Sequence, residues 1–243
     1  LSGTLNGVDL VNKQNYKIYK TMGVLIIGGI FMVIGMIVSG RLKSKFREYS
    51  QIHLNRDLSG AEIARLMLAD NGIHDVQVVS VEGELTDHYN PANKTVNLSP
   101  EVYHGRSAAA AAVAAHECGH AVQHATSYSM LEFRSAMVPI QNVSGKVMNM
   151  IFWVMILGGS FAQSILPWNM ALLIIIGCYG IFTLFAFVTL PVEFDASRRA
   201  LTWISNRGIV TSREHDMAKD ALKWAAMTYV VAAIGALTTL LYY

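Results

Sequence analysis

Three stretches of this 243-residue chain carry no Asp, Glu, Lys or Arg: residues 21–40, 147–192 and 224–243. A helix needs about 20 mostly apolar residues to cross the ~30 Å hydrocarbon core of a bilayer. The first and last stretches, 20 residues each, suit one crossing apiece. The middle stretch of 46 residues would be roughly 69 Å long as a helix, at about 1.5 Å per residue, enough for two crossings and a turn. Four spans are expected. Composition agrees, since 15% of residues are charged against about 25% in an ordinary soluble domain. The pattern excludes a wholly soluble enzyme. It also excludes a protein of spans alone, because residues 41–146 form a polar segment of domain size. The net charge of +2 is too small to suggest nucleic acid as a partner.

Positively charged loops stay on the cytoplasmic side. Three Lys precede the first span (Lys13, Lys17, Lys20), ten Lys and Arg lie in residues 41–146, and six lie in 191–223. The turn between the second and third spans, read as Leu166-Pro167-Trp168-Asn169, has none. The expected organisation is an extracytoplasmic segment at 1–20 and spans at 21–40, 147–166, 169–190 and 224–243. Residues 41–146 form a cytoplasmic domain and 191–223 a cytoplasmic helical segment, with both termini outside. Met22 to Val38 reads as an anchor, not a cleaved signal: it lacks an A-x-A-like site, and Arg41, Lys43, Lys45 and Arg47 follow it.

The polar segment reads as a small α/β unit. Ser59-Gly60-Ala61-Glu62 is a capping box, opening a helix to about Asp70 that Asn71-Gly72 stops. Val76 to Val81 and Thr95 to Leu98 read as strands, joined through Gly83 and Asn90-Pro91. Ser99-Pro100-Glu101 opens a short helix with Pro at its first position. Ser107 caps a longer, alanine-dominated one from Ala108 to about Thr126. The fold class expected is a mainly α integral membrane protein with four transmembrane helices and a small α/β cytoplasmic domain.

Inside the alanine-rich helix lies His116-Glu117-Cys118-Gly119-His120, an H-E-x-x-H sequence. The two imidazoles stand ~40° apart on one face and one turn from each other. Such a pair can share one Zn²⁺, with the adjacent Glu117 taking a proton from water. A catalytic zinc needs a third protein ligand. His124 is eight residues from His116, about 12 Å along the axis, too far to share a metal with it, and reads as a supporting or surface histidine. Cys118 points ~200° away from His116 and reads as core. Glu193 and Asp195 follow the third span directly, and a carboxylate there is costly without a partner. If the helix continues past Pro191, Glu193, Ala196 and Ser197 share a face and Asp195 points elsewhere, toward Arg198 or Arg199 as an alternative role. Glu193 is the candidate third ligand.

Three segments carry a resemblance: His116-Glu117-Cys118-Gly119-His120-Ala121-Val122-Gln123, Leu85-Thr86-Asp87-His88-Tyr89-Asn90-Pro91, and Leu190-Pro191-Val192-Glu193-Phe194-Asp195-Ala196-Ser197. In order and spacing they resemble the YugP-type neutral zinc metallopeptidases of bacterial membranes. The likeness runs from the first span to the last, including Thr228-Tyr229-Val230. It implies a gluzincin with a zincin-like domain in the bacterial inner membrane: His116, His120 and a later Glu as ligands, Glu117 as general base. The chain is also distantly similar to the HtpX and CAAX prenyl protease families, whose Glu-x-x-Ala-Asp pattern it matches except for Ser197 in the last place. In those families the Asp supports a histidine ligand; here Asp195 or a water stands in for it, and Asp195, Ser197 and His124 are the candidate supporting residues.

The expected activity is zinc-dependent endopeptidase cleavage, with one Zn²⁺ per chain. His120 lies 27 residues before Val147, and Glu193 follows the third span, which places the metal at the cytoplasmic membrane surface. Membrane proteins or unfolded chains are the expected substrates, the bilayer is the surrounding partner, and membrane-protein quality control or processing is the expected role. His88, Tyr89, Arg198 and Arg199 are candidate donors to the transition-state oxyanion, and Asp87-His88-Tyr89 lies where a strand edge could pair with substrate. The alternative is a catalytically silent zinc-binding membrane scaffold. A metal transporter is disfavoured because none of the spans holds a His, Asp or Glu.

Overall fold

The computed structural model describes residues 7–158 and 166–243, with side chains from residue 22 onward. Of the segment expected at 1–20, residues 1–6 fall outside the described residues and the rest belongs to the first helix; residues 159–165, at the end of the second expected span, also fall outside. In chain order the elements are α1 (Gly7–Ser50), α2 (Gly60–Asp70), β1 (Gln77–Ser80), β2 (His88–Asn90), β3 (Thr95–Leu98) and α3 (Pro100–His104). Then follow α4 (Ala108–Ala125), α5 (Ser129–Leu157), α6 (Trp168–Asn206) and α7 (Ser212–Tyr242).

Among the described residues, four helices are long and apolar enough to cross a membrane: α1 from Met22, α5, α6 and α7. Their outer faces suit lipid. Leu25, Leu157, Leu173 and Leu241 are 66–77% exposed, and each would forfeit roughly 2 kcal/mol of burial in water. All four helices outlast the apolar runs they contain. Helix α6 continues through Pro191 to Asn206, so residues beyond the middle charge-free stretch ride on the same rigid element as the end of that stretch.

The polar segment packs around α4. The Ser59 capping box forms as expected, with the Ser59 side chain accepting from the Glu62 N–H and the Glu62 carboxylate accepting from the Ser59 N–H. Ser107 caps α4 by accepting from Ala110 N–H. Ala108 to Ala112, Ala114 and Ala115 are all at most 1% exposed. Small side chains let α2, the sheet, α6 and α7 approach α4 from several directions, the environment in which a helix is apolar all round. Cys118 is fully buried with its Sγ 3.5 Å from the Ala64 carbonyl, which agrees with its reading as core; burial pushes its thiol far up.

The sheet has three strands in the order β1-β3-β2, one more than the sequence suggests. β1 and β3 pair in parallel, Val78 opposite Val96. β2 pairs antiparallel to β3, with Tyr89 opposite Val96, in a segment read as a connection. It is only three residues long and is held from outside itself. The Asp87 carboxylate accepts from the Ser99 N–H at 2.7 Å, and the Asn97 amide donates to the His88 carbonyl. β2 is an edge strand lying against α4.

Candidate metal centre

Helix α4 presents His116 and His120 one turn apart, their ring centroids 4.8 Å from each other. Helix α6 brings the Glu193 carboxylate against both: its Oε2 lies 3.3 Å from His116 Nε2 and 3.6 Å from His120 Nε2. One ligand atom from each of the three lies within 4.8 Å of the others. Glu193 is 3% exposed. A buried carboxylate facing two imidazole nitrogens is costly unless charge is shared among them. This juxtaposition depends on a close helix crossing, because Gly119 sits against the backbone of Ala196 with no room for a side chain.

The histidines are oriented from behind. His116 Nδ1 lies 3.1 Å from Ser197 Oγ, and His120 Nδ1 lies 3.0 Å from Gln123 Oε1. In the tautomer with Nδ1–H donating to these oxygens, both Nε2 lone pairs point at Glu193 and are free for a cation. Gln123 in turn donates from Nε2 to the Val192 carbonyl at 2.8 Å and to Asp195 Oδ2 at 2.9 Å. Asp195 also accepts from Arg198 and, at 2.6 Å, from Arg199. Burial alone would depress His120, but the carboxylates of Glu193 and Glu117 outweigh it and hold the ring above its ordinary value.

Over residues 24–243 the chain matches the model of a family described as "Putative neutral zinc metallopeptidase". The chain belongs to that family. It is also 39% identical over 201 residues to the "Putative membrane protease YugP" of Bacillus subtilis (strain 168), spanning 83% of this chain and 86% of that protein. No solved structure matches.

The donor set suits the metal in the family's description. Two imidazole nitrogens and one carboxylate oxygen are ordinary zinc ligands, and each histidine has the Nδ1 partner that ligating imidazoles require. The ligand atoms open onto a cavity of about 580 Å³ lined also by Glu117, Asp87, His88, Tyr89 and His124. Glu117 stands apart from the three converging residues, its carboxylate accepting from the Tyr89 N–H at 3.0 Å. His88 Nδ1 is 2.8 Å from the Thr86 carbonyl. The Tyr89 hydroxyl and His124 Nδ1 are 2.7 Å apart at the cavity rim. Burial pushes the Asp87 carboxyl up despite its bonds from Ser99.

Arg198 and Arg199 turn toward Asp195, the alternative the sequence left open, with Arg199 over the Tyr128 ring; neither lines this cavity, so the structure does not bring them to the oxyanion position. Of the candidate supports, Ser197 meets His116, while Asp195 meets Gln123 and the arginines. Three cavity or support residues escaped the sequence reading. Gln123 supports His120. Arg134, from α5, approaches Glu193 Oε1 at 3.7 Å. Tyr229, from α7, lines the cavity. Two had a signal: Gln123 lies three residues after His120 on the same helix face, and Tyr229 is a polar residue within the last charge-free run.

Proposed function

We propose that this chain is a zinc-dependent endopeptidase that hydrolyses peptide bonds in membrane proteins or unfolded chains at the cytoplasmic membrane surface, in quality control or processing. The observation that carries the reading is the convergence of His116 Nε2, His120 Nε2 and Glu193 Oε2 beside the Glu117 carboxylate in one cavity. The printed name of the Bacillus subtilis relative, a membrane protease, supports the same class. The cytoplasmic side follows from the positive-inside pattern, and the position at the surface from Glu193 lying directly after the 147–192 stretch.

His116, His120 and Glu193 would hold one Zn²⁺ per chain, which when bound supplies Lewis acidity toward a water and the scissile carbonyl. Glu117 accepts the proton that the attacking water loses and delivers it to the amine as the C–N bond breaks. Ser197 and Gln123 fix the imidazole planes. Arg134, Tyr229, His88 and Tyr89 are among the polar side chains that line the cavity and could donate to the developing oxyanion. Tyr89 is the residue whose N–H faces away from β3 and toward Glu117. With the Tyr89 N–H released from Glu117, this outer edge of β2 is suited to pair with an extended substrate.

The test is Glu117→Gln in protein reconstituted in lipid nanodiscs, with casein and a reconstituted membrane protein as substrates. Cleavage falls by about 10²- to 10⁴-fold while zinc content stays at one per chain. Unchanged cleavage sinks the general-base assignment. Zinc bound by the wild type with no proteolysis in any lipid or detergent leaves the silent scaffold instead.

A further inference from the structure

Where α6 and α7 emerge from their charge-free stretches, at Val192 and Trp224, they border an open groove of about 770 Å³. The short segment 207–211 joins the two helices, so α6 runs outward and α7 returns beside it. The lining is graded along that axis. Phe194 and Met227 stand at the end nearest the apolar runs, and Arg198, Lys219, Lys223 and His215 stand farther out. On α7 the residues His215, Lys219, Lys223 and Met227 recur every fourth position, which aligns them on one face. No Asp or Glu lines the groove. Lys219 and Lys223 make no ion pair among the described residues, and Arg198 shares Asp195 with Arg199. Phe194 is 50% exposed.

This is an amphipathic site with an uncompensated positive end and an open apolar end, set where two membrane helices meet the polar phase. We propose that the groove holds an anionic phospholipid of the surrounding bilayer, its phosphate among Arg198, Lys219 and Lys223 and its first acyl methylenes against Phe194 and Met227. A basic pocket between helices on the cytoplasmic side is the chemistry that captures such headgroups. The volume falls within the range that encloses a small ligand. A free phosphate ion satisfies the cations but leaves Phe194 and Met227 uncovered, so the lipid is the fitting occupant. The inference rests on the four helices lying in a membrane and is independent of proteolysis.

The experiment reconstitutes the full chain in phosphatidylcholine vesicles containing a minor fraction of spin-labelled phosphatidylglycerol and measures its enrichment at the protein. The wild type enriches phosphatidylglycerol over an equally labelled phosphatidylcholine. Each lysine contributes about fivefold, so Lys219→Gln/Lys223→Gln loses roughly 25-fold. Both lysines are exposed, so the exchange leaves the fold intact. Arg41→Gln/Lys43→Gln, at the corresponding boundary of α1, keeps the enrichment. Equal loss in both double variants means diffuse surface attraction and overturns the site, as does no loss in either. Phe194→Ser/Met227→Ser weakens lipid retention. Full retention by that variant, or displacement of lipid from the wild type by millimolar inorganic phosphate, makes this a bare anion site and overturns the lipid assignment.

Discussion

Gly119→Ala is the smallest change that separates the two halves of the metal centre. Gly119 precedes His120 on α4, and Ala196 lies one turn after Glu193 on α6. A Cβ at Gly119 would stand 2.6 Å from the Ala196 oxygen and 3.1 Å from its carbonyl carbon and Cα, where ordinary contact begins near 3.4 Å. These are backbone atoms, with no flexible side chain to give way, so the helices part by about 0.8 Å at the crossing. Metal–ligand distances tolerate about 0.2 Å, and the shift is several times that. Overpacking of this kind costs about 1–3 kcal/mol of stability. Moving Glu193 relative to the histidines lowers zinc affinity by at least about tenfold, and a displacement near 1 Å lowers turnover by about 100-fold. Gly145→Ala is the control: nothing lies within 4 Å of a Cβ there, so the exchange is neutral or gains about 0.5–1 kcal/mol. Zinc affinity is read by competition with a chromophoric chelator and stability by thermal melting in nanodiscs. A Gly119→Ala protein with wild-type zinc affinity and melting temperature refutes the claim that this crossing sets the ligand geometry.

Further outcomes follow from the residues around the centre. Gln123→Met keeps the volume but removes three hydrogen bonds, one of them to a carboxylate. At about 1 kcal/mol for each neutral bond and ~2 for the charged one, stability falls by about 3–4 kcal/mol and zinc affinity by about 10- to 100-fold; unchanged zinc titration and melting would show that the amide does not support His120. Glu193→Ala abolishes stoichiometric zinc in elemental analysis, whereas Asp195→Ala retains measurable metal; zinc lost only from the Asp195 variant reverses the ligand assignment. The raised His120 value sets a pH dependence. In the metal-free protein, stabilisation by Glu193 is complete below the unfolded-state value and disappears as pH rises through the higher folded-state value. Zinc requires the neutral ring, so affinity falls on acidification, starting at a higher pH than an ordinary histidine would set, and binding to the protonated ring releases a proton. Calorimetry in buffers of different ionisation enthalpy detects that proton, and identical apparent enthalpies in all buffers contradict it.

What was legible in the sequence is what depends on neighbours along the chain. Charge-free runs of helical length declare the four apolar helices, and Ser59 with Glu62 declares a cap because both partners lie within one turn. β2 was not legible, since three residues have no period and the strand exists through Asp87–Ser99 and Asn97–His88 bonds. Arg134 and Tyr229 enter the cavity from helices whose packing no spacing rule specifies. The Arg198 and Arg199 placements are different in kind, because helical phase was sufficient to find them. At about 100° per residue, Ser197 stands ~40° from Glu193 and Arg199 stands ~40° from Asp195. Arg198 and Arg199 lie ~140° and ~120° from Glu193. One side of α6 therefore meets the histidines through Glu193 and Ser197, and another ties Asp195 to the arginines. Gln123 joins the two sides: three residues after His120, it shares that residue's face of α4 while its amide reaches Asp195. Each histidine is thus left with a neutral partner, a hydroxyl from Ser197 for His116 and an amide from Gln123 for His120. Neutral acceptors raise imidazole basicity less than a carboxylate does. The resulting centre draws its one negative ligand charge from Glu193 alone, which makes the α4–α6 crossing, more than any single supporting residue, the determinant of metal binding.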